Sequence, residues 1–213
     1  SCIQQCPYSI NPTRKNLKTY HHTGNFCTFA QKYVMLIARQ KKQENIAEYL
    51  LYMWQLEDII RSFELDIDQI QQSLIDPVYP TDEERKEARD WYEGLILMMK
   101  SEGIQEEGHL QINKNLVMDL TDLHLRLLKD PKESVYIGVY YNTLPHIVAL
   151  RTKSGGKDVS ELETCFTALY GYLLLKLQKR RISGETQAAV AQITGLLRLL
   201  SKKYKEVDDL MIR

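Results

Sequence analysis

The stretch KQENIAEYLLYMWQLEDIIRSFE, residues 42–64, decides the fold class because its apolar side chains recur with the period of an α-helix. Each helical residue turns by about 100°, which brings one set of apolar side chains onto a single stripe. That set consists of Ile46, Leu50, Met53 and Ile60. The residues before 42 lack this pattern, so we predict that the first helix begins near residue 42.

Helical periods continue through the rest of the chain, and helix starts are marked by capping residues. Each candidate cap is followed by Glu or Gln three positions later; the caps are Asp66, Thr81, Asp130 and Ser160. The predicted helices lie at about 42–64, 67–75, 82–101, 113–129, 131–152, 161–181 and 184–207. Strand-like alternation never extends beyond a few residues. We therefore predict an all-α, multi-helix bundle of six or seven helices with short loops.

Residues 1–34 differ from the rest of the chain in charge and cysteine content. They contain four basic residues, no acidic residue and three of the four cysteines, whereas residues 35–213 have 24 basic and 28 acidic residues. We therefore predict that residues 1–34 are a disordered or mis-annotated extension ahead of a natural start at Met35. Residues 35–213 are predicted to form the helical-bundle domain.

Two other interpretations of this extension stay open. Residue types that bind zinc occur at Cys2, Cys6, His21, His22 and Cys27, although their spacing fits the usual zinc fingers poorly. A basic segment without acids is also typical of a transit peptide, or of an arm that touches nucleic acid.

The composition argues against several classes of function. The formal net charge is zero and no helix-turn-helix pattern is present, so we expect no nucleic-acid partner. No apolar run approaches the ~20 residues that span a bilayer, so we expect no membrane partner. Cys165 is the one cysteine in residues 35–213, where no internal disulfide can form, and this indicates a cytoplasmic protein.

Glu57 is the first candidate site residue because it falls inside the apolar stripe of the first helix. A buried carboxylate must be paired, hydrogen-bonded or protonated, since an isolated buried charge costs several kcal/mol. It could be a poised acid or base, or it could anchor a ligand. Alternatively, Glu57 pairs with an Arg or Lys across the bundle or reaches its edge.

His124 is the second candidate, on the apolar side of a helix with Leu120, Leu123 and Leu127. It could act as a base or a metal ligand. Alternatively, it is a neutral core histidine bonded to a carbonyl or a hydroxyl group. Aromatic residues could line an interhelical pocket near Glu57 and His124, or belong to the core. The pocket prediction names Trp54, Trp91 and Tyr140.

Covalent and metal chemistry find little support. A di-iron bundle needs two Glu-x-x-His pairs, and the chain offers Glu106 with His109 alone. No Gly-x-Ser-x-Gly elbow occurs, and Cys165 lies beside an apolar stripe, where cysteine behaves as a small buried hydrophobe. We predict no catalytic residue, no metal site and no cofactor.

Three blocks carry a resemblance to a known family. They are ENIAEYLLYMWQLEDIIR at 44–61, HLQINKNLVMDLTDLHLRLL at 109–128 and CFTALYGYLLLKLQKRRIS at 165–183. Together they resemble an uncharacterised bacterial family of all-helical proteins with no assigned function, over about residues 35–213. The resemblance implies a family start at or near Met35, and it supplies no catalytic residue to transfer.

Three classes of function follow. The leading prediction is a non-enzymatic cytoplasmic protein that acts by helix-mediated association, either with itself as a homo-oligomer or with a protein partner. The second is a binder of a small molecule in the aromatic-lined pocket near Glu57 and His124. The third is an enzyme that uses these two residues as acid and base.

Overall fold

The computed structural model describes residues 34–153 and 159–211, and it is helical without strands in these ranges. Its eight α-helices are α1 Val34–Glu44, α2 Ile46–Ser62, α3 Ile67–Ile70, α4 Asp82–Ser101, α5 Gln111–Lys129, α6 Ser134–Lys153, α7 Glu161–Leu177 and α8 Gly184–Met211. A π-helical turn, Gln71–Ile75, continues α3, and a 3-10 turn, Pro131–Glu133, precedes α6. The predicted all-α class with short loops is confirmed.

The prediction of a first helix from residue 42 was wrong. The structure has two helices here, because Asn45 separates α1 from α2. The side-chain oxygen of Asn45 accepts a hydrogen bond from the backbone N–H of Ala47 at 3.1 Å, which provides a cap for the start of α2. The additional helix α1 accounts for a count above the six or seven that we predicted.

Four of the predicted helix starts, those with a candidate cap, are confirmed by the capping geometry. Thr81 and Glu84 form a reciprocal capping box at the start of α4. The side chains of Asp66, Asp130 and Ser160 likewise accept backbone N–H groups two or three residues later. These local hydrogen bonds explain why the starts are readable from sequence.

Helix ends were harder to predict, because α2 and α7 are followed by a left-handed residue other than glycine, Glu64 and Lys179 respectively. Gly103, with φ 69°, ends α4 near the predicted position. Lys179 takes the same role after α7 with φ 53°, and the Arg180 N–H bonds the Leu175 carbonyl at 3.0 Å. The helix predicted to reach residue 181 therefore ends at Leu177.

The described chain divides into two compact units. The N-terminal unit contains residues 34–44 and 48–114, and its core centres on side chains from α2, α3 and α4. The fully buried members of that core include Ile60, Ile70, Ile75, Met99 and Leu110.

The C-terminal unit contains residues 45–47 and 115–211. Within it α6 packs against α7 and α8. The apolar stripe of α8 is buried at Val190, Ile193, Leu197 and Leu200. The helices of the described ranges include none that is both long and apolar enough to cross a membrane. Residues 1–33 of the predicted extension, which include its cysteines and histidines, lie outside the residues that the structure describes.

Candidate functional site

Glu57 is buried in the N-terminal unit, as its place on the apolar stripe of α2 predicts. Glu57 is 1% exposed to solvent. The carboxylate accepts hydrogen bonds from three donors: His109 Nδ1 at 2.6 Å, the Leu110 N–H at 3.1 Å and Asn113 Nδ2 at 2.7 Å. The donors come from the loop before α5 and from its first turn, and not from the Arg or Lys of the alternative interpretation. Hydrogen bonds from several donors offset the cost of burying the carboxylate.

His109 is the functional candidate that this arrangement adds. Its ring stacks on Trp54, with the centroids 3.9 Å apart and the planes at 11°. Its side chain keeps 31% of its surface exposed while Nδ1 faces Glu57. The sequence offered His109 only as half of a degenerate Glu-x-x-His pair, because no periodic pattern connects a loop residue to α2.

Arg61 lies one turn after Glu57 and fastens the same loop. Its guanidinium donates to the carbonyls of Ile104, at 3.2 Å, and Gly108. It also forms a buried ion pair with Asp58 at 2.8 Å. Glu57 and Arg61 therefore hold the segment 104–110 from one face of α2, and we call this segment the clamped loop.

His124 occupies a separate site in the C-terminal unit. It is buried, and its Nδ1 shares a 2.6 Å hydrogen bond with the Tyr136 hydroxyl. Its Nε2 lies 3.9 Å from a carboxylate oxygen of Glu161. A neutral ring protonated at Nε2 suits both neighbours, with Tyr136 donating to Nδ1. Burial lowers the pKa of His124, and Glu161 opposes this effect. The interpretation as a neutral core histidine bonded to a hydroxyl is thus supported.

Tyr140 and Cys165 are poor nucleophiles near neutral pH. The Tyr140 hydroxyl donates to Glu161 at 2.8 Å, and burial together with this carboxylate raises the pKa of Tyr140 to about 12. Burial also raises the pKa of Cys165 to about 12. Cys165 therefore remains a protonated thiol in the core, as its position beside the apolar stripe suggested.

The predicted pocket residues are distributed between the two units. Glu57, Trp54 and Trp91 belong to the N-terminal unit, and Trp91 packs edge-on against Tyr92 with centroids 5.3 Å apart. His124 and Tyr140 belong to the C-terminal unit, where their rings lie 5.0 Å apart. Glu57 and His124 have different hydrogen-bond partners, each within its own unit. A ligand pocket near both residues stays a prediction.

The described ranges 34–153 and 159–211 contain no group of three or more His, Cys, Asp or Glu side chains placed to hold a metal ion.

Asn113 adds an unusual polar atom to the Glu57 site. Its Oδ1 is buried without a hydrogen-bond partner, while its Nδ2 donates to Glu57. The site therefore combines one unpartnered amide oxygen with a partly exposed imidazole.

A second feature with functional potential is the outer face of α6. Positions spaced alternately by four and three residues are all exposed there: Ser134, Gly138, Tyr141, Pro145, Val148 and Thr152. We call this set the uncharged seam. Tyr141 is 62% and Val148 54% exposed, and the adjacent Val135 is 73% exposed. Residues 134–150 contain no Asp, Glu, Lys or Arg.

Comparison with known proteins identifies a family but no characterised relative. The family model described as "Domain of unknown function (DUF4924)" matches residues 35–209, and the chain belongs to this family. No curated protein and no solved structure matches the chain. The match confirms the resemblance to an uncharacterised domain family.

Proposed function

We propose that this member of the DUF4924 family is a non-enzymatic cytoplasmic protein that associates with a second copy of itself through the uncharged seam of α6. The observation that carries the proposal is the exposure of this seam on a helix without a charged residue between 134 and 150. Large exposed apolar surfaces on otherwise charged proteins are typical of interaction sites.

The composition of α6 supports a partner on its outer side. A surface helix usually has one apolar stripe and an opposite face of charged residues, whereas a helix that is apolar all round is buried on all sides. α6 packs on α7 and α8 with one side, yet Val135, Tyr141 and Val148 on the other side are exposed. A second copy would bury these side chains.

The order of residue sizes along the seam favours an antiparallel pair. If a two-fold axis passes midway between Tyr141 and Pro145, Gly138 of one copy faces Val148 of the other. The same axis places Tyr141 opposite Pro145. Each larger side chain then meets a smaller or flatter one, which is the complementarity that an isologous interface requires. The absence of charge removes like-charge repulsion between identical faces.

The dimension of the seam indicates a weak complex. Residues 134–152 extend over about 27 Å of helix, and one helix face of this length buries less than the ~800 Å² per partner of a standard interface. We therefore expect a dimer that dissociates in the micromolar range unless neighbouring surfaces contribute.

Sedimentation velocity of the full chain, from about 1 to about 100 µM, tests the proposal. We expect a monomer at the low end and a dimer at the high end. Val148→Glu should abolish the dimer by burying a charge in it. Leu97→Glu is the matched control, because Leu97 is an equally exposed type of site, 65% exposed on α4, and does not belong to the seam. A monomer over the whole range, or equal effects of both variants, would overturn the proposal.

Disulfide trapping tests the orientation. In a background where Cys2, Cys6 and Cys27 are serine, a mixture of Gly138→Cys and Val148→Cys chains should form a mixed disulfide. Gly138→Cys alone should not, because in the antiparallel pair the two copies of residue 138 are about 15 Å apart, too far for the bond. The reverse result would indicate a parallel pair.

A further inference from the structure

We propose that His109 is a reactive histidine that accepts an acyl group at Nε2 from a neutral activated acyl compound. This inference is independent of self-association, since it rests on the Glu57–His109 pair in the N-terminal unit. Three features carry it: the buried carboxylate on one ring nitrogen, the stacked indole of Trp54 and the partial exposure of the ring.

The carboxylate of Glu57 determines which nitrogen is nucleophilic. An ionised carboxylate can only accept, so His109 Nδ1 must carry the proton across the 2.6 Å hydrogen bond. In the neutral form of this ring the lone pair lies on Nε2. A carboxylate partner also increases the electron density of the imidazole and fixes its orientation, as it does for histidines in metal sites and in catalytic triads.

Trp54 and the clamped loop hold the ring in place. The indole covers one ring face at 3.9 Å, and the Leu110 N–H, next in the chain, donates to the same Glu57 carboxylate at 3.1 Å. A fixed imidazole has less conformational entropy to lose on reaching a reactive geometry. Nevertheless 31% of the side chain is exposed, so a reagent from solvent can reach the ring.

The local charge selects the class of reagent. Glu106 and Glu107 precede His109 in the same loop and are exposed, and Glu102 accepts the Gln111 N–H at 2.7 Å. These carboxylates disfavour the approach of phosphorylated or carboxylated reagents. A neutral ester or anhydride avoids this repulsion.

The step is an acyl transfer. The Nε2 lone pair attacks the carbonyl carbon, and the leaving group departs with the electron pair of its bond to that carbon. The ring becomes an N-acylimidazolium, whose Nδ1 proton is held by Glu57. Transfer of this proton to the Glu57 carboxylate gives the neutral N-acylhistidine and keeps a hydrogen bond between the two side chains. The acylated chain is the product, so the step is a covalent modification of the protein and not a catalytic cycle.

Diethyl pyrocarbonate, a neutral activated acyl reagent, tests the inference on the intact chain. Labelling rates are followed for each histidine by peptide mass spectrometry. We expect His109 to be labelled about tenfold faster than the half-buried His146, with the buried His124 slowest. Equal rates at His109 and His146, or protection of His109, would overturn the inference.

Two further measurements separate reactivity from simple exposure. Glu57→Gln should slow labelling of His109 about tenfold while His146 is unchanged; an unchanged rate at His109 in the folded variant contradicts the role of Glu57. If this variant does not fold, the comparison of labelling rates at His109 and His146 in the wild-type chain still tests the inference. Relative to N-acetylhistidine, His109 should discriminate against the anionic donor acetyl phosphate in favour of p-nitrophenyl acetate, and the absence of this preference contradicts the predicted class of reagent.

Discussion

Glu57 Oε2 lies 2.6 Å from His109 Nδ1, although 52 residues separate them in the chain. The other oxygen of the same carboxylate accepts the Leu110 N–H and the side-chain amide of Asn113. The start of α5 is therefore satisfied in part by a side chain of α2, in the way that an N-cap residue satisfies a helix from within its own sequence. Glu57 thus has a structural role whatever His109 does chemically.

Replacement of Glu57 by alanine should destabilise the protein strongly. The change leaves three donors without their acceptor at a buried site, and we expect a loss of about 3 kcal/mol in the free energy of unfolding. Urea denaturation followed by circular dichroism measures this loss. Glu107→Ala, at an exposed position of the clamped loop, should change stability by less than about 0.5 kcal/mol. Similar losses in both variants would contradict the role assigned to Glu57.

The clamped loop also depends on Gly108, whose φ is 94°. A Cβ added there would lie 3.4 Å from Cγ2 of Ile104, in a backbone conformation that L-residues rarely adopt. Gly108→Ala should therefore cost about 1–2 kcal/mol of stability. Gly103→Ala is the comparison, because Gly103 has φ 69° but open space around its Cβ position. We expect the smaller loss at Gly103, and the opposite order would show that the clamped loop accommodates the added methyl group at no cost.

His124 should make stability depend on pH. Burial lowers its pKa below the ordinary 6.5, so the unfolded state binds more protons than the folded state as pH falls through 6.5. The contribution of His124 is fully present above that value and is lost toward lower pH. Tyr136, Tyr140 and Glu161 face the ring, and the Glu161 carboxylate weakens the effect.

The measurement is urea denaturation at about pH 7.5 and about pH 5.5, with a slope of at most about 1.4 kcal/mol per pH unit from this one group. His124→Gln keeps a polar partner for the Tyr136 hydroxyl but cannot titrate. The variant should therefore lose less stability than the wild type between the two pH values. An equal loss would assign the pH dependence to other groups.

The sequence predicted what depends on neighbours in the chain. Capping residues such as Thr81 and Ser160 act within three residues, so their helices start where the pattern indicates. The burial of Glu57 followed equally from the stripe of α2. Helix ends were harder to predict where Glu64 and Lys179 take positive φ, because glycine is the usual sequence signal for that conformation.

The partners of Glu57 could not be predicted for a different reason. His109 and Asn113 lie more than 50 residues away in the chain, and neither residue type at that distance signals a contact. The uncharged seam was visible in the sequence as a run without charge, but its exposure was not. The same run would fit a helix buried on all sides.

Gly138 gives a test in which stability and association should change in opposite directions. It lies inside α6 with nothing within 4 Å of its Cβ position, so Gly138→Ala should stabilise the monomer by about 0.5–1 kcal/mol. The added methyl group also occupies the space that we assign to Val148 of a second copy, which should weaken the dimer about tenfold. Thermal unfolding at low concentration measures the first effect, and sedimentation velocity measures the second.

Gly94→Ala is the matched control for this pair of measurements. Gly94 lies in α4 and also has open space at its Cβ position, so its replacement should stabilise the monomer by a similar amount. It lies outside the seam and should leave association unchanged. If both variants stabilise the monomer and neither changes the dimer, α6 does not face a second copy at Gly138. The antiparallel arrangement would then be rejected, although the stability gain at both glycines would remain explained by helix propensity.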